Sequence, residues 1–300
     1  MERVLVLMST YNGEKYLKEQ IDSVLGQKNI NVDLLIRDDM SKDNTINILE
    51  EYSKKYNNIS TIRGNNLGAC YSFFELINKA KTNYSYYAFC DQDDIWLEDK
   101  LITGIKKLSV KKDNKKPSLY YSGQILVDEN LNEIYNHKIT TKRSEFANYI
   151  FNQTAGCTLI FNKKLLVLLK EYLPKNIYGH DVWSYKLCFA FNGNIIADSE
   201  GRILYRQHGK NVVGMNNGLK GKIERAKKYV FLYSPSSYSR ELLNGYSKNI
   251  EKEKLDFIKN VNNSNNSLKS RINLIFDKKI VFKSISLRML FIIKILLKKI

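Results

Sequence analysis

The segment Tyr84-Ser-Tyr-Tyr-Ala-Phe-Cys-Asp-Gln-Asp-Asp-Ile-Trp96 decides how this chain is read. Tyr84 to Cys90 form an apolar run of strand length, and four polar residues, Asp91, Gln92, Asp93 and Asp94, come at once after it. The carboxyl end of a strand is where open α/β sheets bind ligands. Asp91 and Asp93 alternate with Gln92, so on an extended backbone they point the same way. Carboxylates this crowded repel one another unless a cation joins them, and oxygen-only ligands suit Mg²⁺ or Mn²⁺. An acidic turn capping a helix that begins near Glu98 is the competing reading of the same residues.

Other strand ends favour a site. Arg3-Val-Leu-Val-Leu-Met8 runs into Ser9-Thr10-Tyr11-Asn12-Gly13-Glu14, and Leu17, Ile21 and Val24 then recur at helical spacing until Gly26. Val32-Asp-Leu-Leu-Ile-Arg37 runs into Asp38-Asp39-Met40-Ser41, with Asp43 as N-cap of a helix carrying Ile46, Leu49, Tyr52 and Tyr56. Ile59-Ser-Thr-Ile-Arg63 ends in Gly64-Asn-Asn-Leu-Gly68, whose glycines permit a tight turn before another helix. That spacing fits neither a dinucleotide fingerprint nor a Walker loop. Thr154 to Phe161 predicts a further strand, and Asp181 opens a helix through Trp183, Leu187 and Phe191. The pattern is an α/β fold that delivers polar side chains to one sheet edge.

Four ordered motifs, Ser-Thr-Tyr-Asn-Gly-Glu (9–14), Asp-Asp-Met-Ser-Lys-Asp-Asn-Thr (38–45), Asp-Gln-Asp-Asp (91–94) and Gly-His-Asp (179–181), together resemble the family 2 glycosyltransferases. The resemblance covers roughly the first two thirds of the chain. It implies the GT-A nucleotide-sugar-binding fold, a Rossmann-like mixed sheet flanked by helices. It implies that Thr10, Tyr11 and Asn12 line the nucleotide pocket and that Asp39 accepts from a pyrimidine N3–H. Asp91 would lie near the ribose and the metal, Asp93 would be the main ligand of Mg²⁺ or Mn²⁺, and Asp181 would be the general base of an inverting displacement. Tyr205-Arg-Gln-His-Gly-Lys-Asn-Val-Val-Gly214, with Cys90 to Trp96, is similar to the bacterial rhamnosyltransferase branch. That likeness implies dTDP-rhamnose as donor, a lipid-linked surface polysaccharide precursor as acceptor, and Arg206 and His208 near the diphosphate, with His208 a further metal ligand. Met40 stands where the family more often has Gly, and His180 where it often has an acid.

Read without the family, several of these residues have plainer roles. An Asp in the first turn of a helix, such as Asp181, is usually a cap. Tyr11 fits packing at a strand end as well as base stacking, and Arg206 and His208 fit a solvated surface. His137 reads as a surface turn residue, and Ala155-Gly156-Cys157 either leaves room for an acceptor sugar or packs against a helix.

The chain has 300 residues, 43% of them hydrophobic, enough for one large domain and an appendage. The expected division is a catalytic domain over 1–215 and a helical, basic region over 216–300. Cys70, Cys90, Cys157 and Cys188 show no metal spacing and read as buried free thiols of a reducing cytoplasm. The opening apolar run is too short for a secretion signal, and Asn-rich Val261 to Ser267 reads as a linker. Residues 201–300 hold 22 Lys+Arg against 6 Asp+Glu, a net of +16 out of +17 for the whole chain. A helical wheel near 280–300 gathers Phe282, Ile285, Met289, Ile292, Ile293, Leu296 and Ile300 on one face, with Lys283, Arg288, Lys294 and Lys298 opposite or at its border. This predicts an amphipathic helix lying on an anionic membrane surface at the inner face of the cell membrane. A helix docked on the catalytic domain is the alternative. Nucleic-acid binding is not expected, since no zinc, RNA-binding or helix-turn-helix pattern is present. The rival functions are a family 2 transferase with a UDP-hexose donor and a basic nucleic-acid-binding protein.

Overall fold

Alternation along the strands sorts apolar side chains onto the two faces of one sheet. In the first strand, β1 (Arg3–Thr10), Val4, Val6 and Met8 point to one face and Leu5 and Leu7 to the other. The computed structural model describes residues 2–110, 115–140, 143–208 and 234–300. The remaining strands are β2 (Asn31–Asp38), β3 (Ile59–Arg63), β4 (Tyr86–Cys90), β5 (Ile95–Trp96), β6 (Ser118–Val127), β7 (Glu133–His137), β8 (Ile160–Asn162) and β9 (Asn194–Arg206). They form one sheet in the order β3-β2-β1-β4-β8-β6-β9-β5, with β7 paired to β6. The strands β3, β2, β1 and β4 are mutually parallel, and β8 is antiparallel to both β4 and β6. Strand order therefore reverses about β1, which opens a crevice at the carboxyl ends of β1, β2 and β4.

On the first face lie α1 (Leu17–Leu25), α2 (Thr45–Lys55) and α4 (Lys100–Val110), which bury Leu17, Ile21, Val24, Ile48, Leu49, Leu101 and Ile105 beneath Val4, Val6 and Ile36. The other face is covered by α3 (Gly68–Lys79), α5 (Glu145–Ile150), α6 (Lys163–Glu171) and α7 (His180–Ala190). Beyond them pack α8 (Pro235–Tyr246), α9 (Lys252–Asn263), α10 (Leu268–Phe276) and α11 (Ile285–Leu296). These last four helices share the second core, contributing Tyr238, Leu242, Phe257, Leu274, Phe291 and Ile295 to the cluster that holds Leu7, Phe89 and Trp183. The expected boundary at 215/216 lies outside the described residues.

Several expectations need correcting. The stretch 154–161 is a short 3₁₀ turn at Gly156–Thr158 ahead of β8, because small Ala155 and Gly156 make a poor strand while His180 packs against the glycine. His137 ends β7 and is no turn residue. The Asn-rich stretch is not a free linker: its first residues, with Val261 fully buried, finish α9, and the rest is the fixed turn into α10, where the Asn265 amide donates to the Ile300 carbonyl at 3.0 Å. The helix α11 docks by a face the wheel did not select: Phe291, Lys294 and Ile295 go inward, while Ile285, Met289, Ile293 and Leu296 stay exposed. All four cysteines are free, Cys90, Cys157 and Cys188 buried and Cys70 partly so. Among the described residues no helix is long and apolar enough to cross a membrane.

Candidate active site

The loops after β1, β2 and β4 are cross-bonded at the crevice. Gln92, in the middle of Asp-Gln-Asp-Asp, accepts from the Tyr11 N–H at 2.7 Å and donates to the Tyr11 carbonyl at 3.0 Å. A side chain at Gly13 would collide with that amide, its Cβ falling 2.3 Å from Gln92 Oε1. The Asn12 N–H reaches Ser41 Oγ at 2.9 Å, the Lys42 N–H reaches Asn12 Oδ1 at 2.8 Å, and the Gly13 N–H reaches Thr45 Oγ1 at 2.8 Å. Asp38 is buried and accepts from the Ser41 N–H and hydroxyl and from the Thr10 hydroxyl at 3.2 Å. Thr10 thus spends its side chain inside the fold, whereas Tyr11 is half exposed at the rim. Asn12 and Met40 sit at φ 48 and 72, in the left-handed region, and both flank the crevice. The positive φ at Met40 is the physical reason a glycine suits that position.

Asp39 is buried with the guanidinium of Arg37 and accepts from the Leu67 and Gly68 N–H groups, each at 2.9 Å, at the start of α3. Arg37 also donates to Ser72 Oγ at 3.0 Å and to the Asn65 carbonyl at 2.8 Å, so the glycine loop is held to β2 through one buried arginine. A Cβ at Gly64 would lie 2.4 Å from that guanidinium. Asp39 Oδ2 makes one of these bonds and keeps a lone pair for another donor.

The acidic cluster lies beside them. Burial, then the charges of Asp93 and Asp181, push the Asp91 carboxyl up to about 7. Burial likewise pushes Asp181, in the first turn of α7, up to about 6. Asp94 is fully buried and accepts from the Arg206 N–H at 3.2 Å, while its Oδ2 has no hydrogen-bond partner. Ligand atoms of Asp91, Asp94 and Cys157 lie within 4.8 Å of one another. Asp93 Oδ2 is 2.8 Å from His208 Nε2, whose ring sits 5.2 Å from that of Tyr16. Arg206 is buried and turned into the protein, donating to the Asp93 carbonyl at 3.0 Å, the Glu129 carbonyl at 2.7 Å and Glu19 at 2.5 Å. Its guanidinium braces the acidic loop.

The structure therefore brings Tyr11, Asn12, Asp39, Asp91, Asp93, His208 and Asp181 to one edge, with Thr10 and Arg206 behind them as supports. His180 is stacked on Phe73 at 3.8 Å and held neutral by burial, its value lowered to about 3. Gly179 leaves the Asp181 carboxylate free of a clash, since a Cβ there would fall 2.5 Å from Oδ1. The loop into α7 is held from the C-terminal layer. Tyr238 Oη accepts from the Tyr178 N–H at 3.2 Å and the Gly179 N–H at 3.1 Å. Glu241 accepts from Tyr172 Oη at 2.7 Å, and from the Lys175 N–H and the Asn176 amide at 3.1 Å each. Gln92, Arg37, Tyr238 and Glu241 were not among the residues expected from the sequence. Only Gln92 carried a local signal, by its place inside the acidic motif.

The family model described as glycosyl transferase family 2 matches residues 5–167. The chain is 34% identical over 233 residues to a dTDP-rhamnosyl transferase RfbG of Shigella flexneri, covering 73% of this chain and 77% of that one. Among solved structures it resembles S. aureus TarS 1–349 in complex with UDP-GlcNAc, with a TM-score of 0.61 at 16% identity, over 100% of this chain and 82% of that one. It also resembles a mannosyltransferase, PcManGT from Pyrobaculum calidifontis in complex with GDP-Man and Mn²⁺, with a TM-score of 0.55 at 13% identity, over 99% and 86% of the two chains. These likenesses show the expected GT-A fold. With more than half its length matched by the family model and three quarters by the Shigella relative, this chain belongs to glycosyltransferase family 2.

Proposed function

We propose that this enzyme transfers rhamnose from dTDP-rhamnose to a hydroxyl of a lipid-linked surface polysaccharide precursor, in one displacement that inverts the anomeric centre. The observation that carries the chemistry is Asp181 in the first turn of α7, with its loop held in place by Tyr238; its charge is one of the causes that raise Asp91. Asp181 takes the acceptor hydroxyl proton as that oxygen attacks the anomeric carbon. The bond from that carbon to the nucleoside diphosphate oxygen breaks, and its electron pair leaves with the diphosphate. A carboxylate pushed up to about 6 suits a general base, being ionised at neutral pH yet more basic than an exposed Asp. Tyr11 and Asn12 line the nucleotide, and Asp39 Oδ2 accepts from the pyrimidine N3–H.

The residues fit a divalent cation. Asp91 and Asp93 offer hard oxygen donors, and burial with crowded carboxylates raises Asp91 in a way that a cation would reverse. Asp93 and Asp91 would hold Mg²⁺ or Mn²⁺, with His208 on Asp93 as a further ligand or as its orienting partner. When bound, the cation neutralises charge on the diphosphate. Arg206 acts through Asp93, whose backbone it fixes.

The donor assignment rests on the Shigella relative. A hydrolysis panel of dTDP-rhamnose, a UDP-hexose and GDP-mannose tests it with Mn²⁺ present. Fastest turnover of dTDP-rhamnose is expected; preference for a UDP-hexose would overturn the donor and keep the enzyme class. Tight duplex binding without turnover of any donor would favour the basic nucleic-acid-binding reading. The enzyme works at the inner face of the cell membrane, where unpaired thiols are stable and where the basic C-terminal helices meet the lipid that carries the acceptor.

A further inference from the structure

The last two helices carry apolar residues that the fold leaves uncovered. In α10, Leu268, Ile272 and Phe276 recur every four residues and are exposed, Phe276 to 75%. In α11 the outward stripe is Ile285, Met289, Ile293 and Leu296, with Ile285 at 81%. Of the nineteen exposed large hydrophobics among the described residues, nine fall between Leu268 and Leu297, the other two being Val281 and Leu297. Isolated exposed apolar residues need no explanation, but a contiguous set marks an interaction surface.

The bend between the two helices carries exposed Val281 as well. A groove of about 570 Å³ at this bend is lined by Phe276, Ile280, Val281 and Phe282 with the charged Asp277, Lys278 and Arg288. Arg288 ties the bend together, donating to the Ile280 carbonyl at 3.0 Å and the Ile275 carbonyl at 2.7 Å. The pair is seated on the catalytic domain from beneath. Phe291, Ile295 and Ile300 are buried in the shared core, and the Val281 N–H donates to Ser144 Oγ at 3.0 Å, at the N-cap of α5. The exposed face is thus held by tertiary packing, and its apolar residues are not there to fill the core.

Charge identifies what covers it. Residues 268–300 hold, besides the buried Lys294, eight basic residues (Lys269, Arg271, Lys278, Lys279, Lys283, Arg288, Lys298 and Lys299) and one acid, Asp277. Two such surfaces in two copies of the chain would repel, and a nucleic-acid duplex, with its base faces stacked inside, has no apolar surface to match Phe276 or Ile285. An anionic bilayer answers both features, taking the apolar side chains below its headgroups and the cations among them.

We infer that α10 and α11 together form a two-helix insertion surface for an anionic lipid bilayer, docked on the catalytic domain and continuous across the Phe276–Val281 groove. The inference deepens the membrane reading above and rests on it, but it can be tested without turnover. Flotation of the full chain would be measured with neutral phosphatidylcholine vesicles and with vesicles containing about a third phosphatidylglycerol. Strong binding is expected only to the second. Each large apolar side chain withdrawn from the bilayer interface should cost about tenfold in partitioning. The double variant Ile272→Ser/Phe276→Ser should therefore weaken binding as much as Ile285→Ser/Met289→Ser, with melting temperatures unchanged because all four side chains are exposed. Binding that ignores the α10 pair would overturn the two-helix surface and leave a single helix. Equal binding to neutral vesicles, release by duplex DNA, or a vesicle-free dimer broken by the same variants would each overturn the lipid assignment. None of these results would bear on glycosyl transfer, which the donor panel tests separately.

Discussion

The two walls of the active site are built differently. The donor wall, from the loops after β1, β2 and β4, is cross-linked within the first hundred residues, as by Gln92 to Tyr11 and Asp38 to Ser41, and is braced from β9 by Arg206. The wall that carries Asp181 is held from the far end of the chain, by Tyr238 and Glu241 of α8. The first wall leans on the sheet, through Arg206 of β9; the second depends on the layer whose outer helices we assign to the membrane. Site chemistry held by the strands and loops of the sheet is insensitive to the C-terminal helices, whereas chemistry positioned by that layer inherits its state.

The donor wall should give the largest effect. Asp93→Asn keeps shape but removes an anionic ligand, so turnover with Mn²⁺ should fall on the order of a thousandfold. Circular dichroism and melting should stay as in the parent. Near-normal turnover at limiting Mn²⁺ would remove Asp93 from the metal site.

Both walls carry a carboxyl raised by burial, and the sign is the same for each. Asp181 must be ionised to act, so kcat/KM should fall about tenfold per pH unit below its value of about 6. Cation affinity should weaken as pH drops through about 7, the metal-free value of Asp91, because protons compete for the same oxygens. A flat profile between pH 5 and about 7 would separate Asp181 from the proton transfer.

Tyr238→Phe asks whether the second wall is held remotely. Loss of the phenol leaves the Tyr178 and Gly179 N–H groups without that acceptor and should lower kcat several-fold, with donor nucleotide affinity unchanged. An equal loss in donor affinity would show that the two walls are not independent. The smallest effect is local: Met40→Gly relieves a positive φ and should raise stability by about 1 kcal/mol or less, with activity kept. Destabilisation would mean that the Met40 side chain has a packing role.

This asymmetry also explains what could be read in advance. β1, β2, β3 and their helices were legible because each strand is an apolar run closed by polar residues, and the motif residues sit at those ends. The role of Arg37 was hidden because its partners, Asn65 and Ser72, lie on a later loop and helix. Helix α11 was recognised, but its buried face was not, since Ile and Leu occur nearly all round and Phe291 turns inward against tertiary partners such as Phe282, which packs in turn on Phe151. A wheel finds the stripe; tertiary partners decide which stripe is buried. The Asn-rich segment misled for a similar reason, because Val261 and Asn265 are fixed by contacts that composition does not reveal.

The central claim is that Asp181 is the base, and it competes with the plain reading of a first-turn carboxylate as a helix cap. The decisive measurement is Asp181→Asn, with transfer rate, donor nucleotide affinity and melting temperature determined on the same sample at pH 7.5. A base should lose about 10²- to 10⁴-fold in transfer while donor affinity stays near that of the parent. Because burial raises Asp181, its charged form destabilises the fold as pH rises from about 4 to about 6, so the neutral Asn should leave melting unchanged or raised at pH 7.5. A cap predicts the reverse: a lowered melting temperature, with transfer and donor affinity falling together.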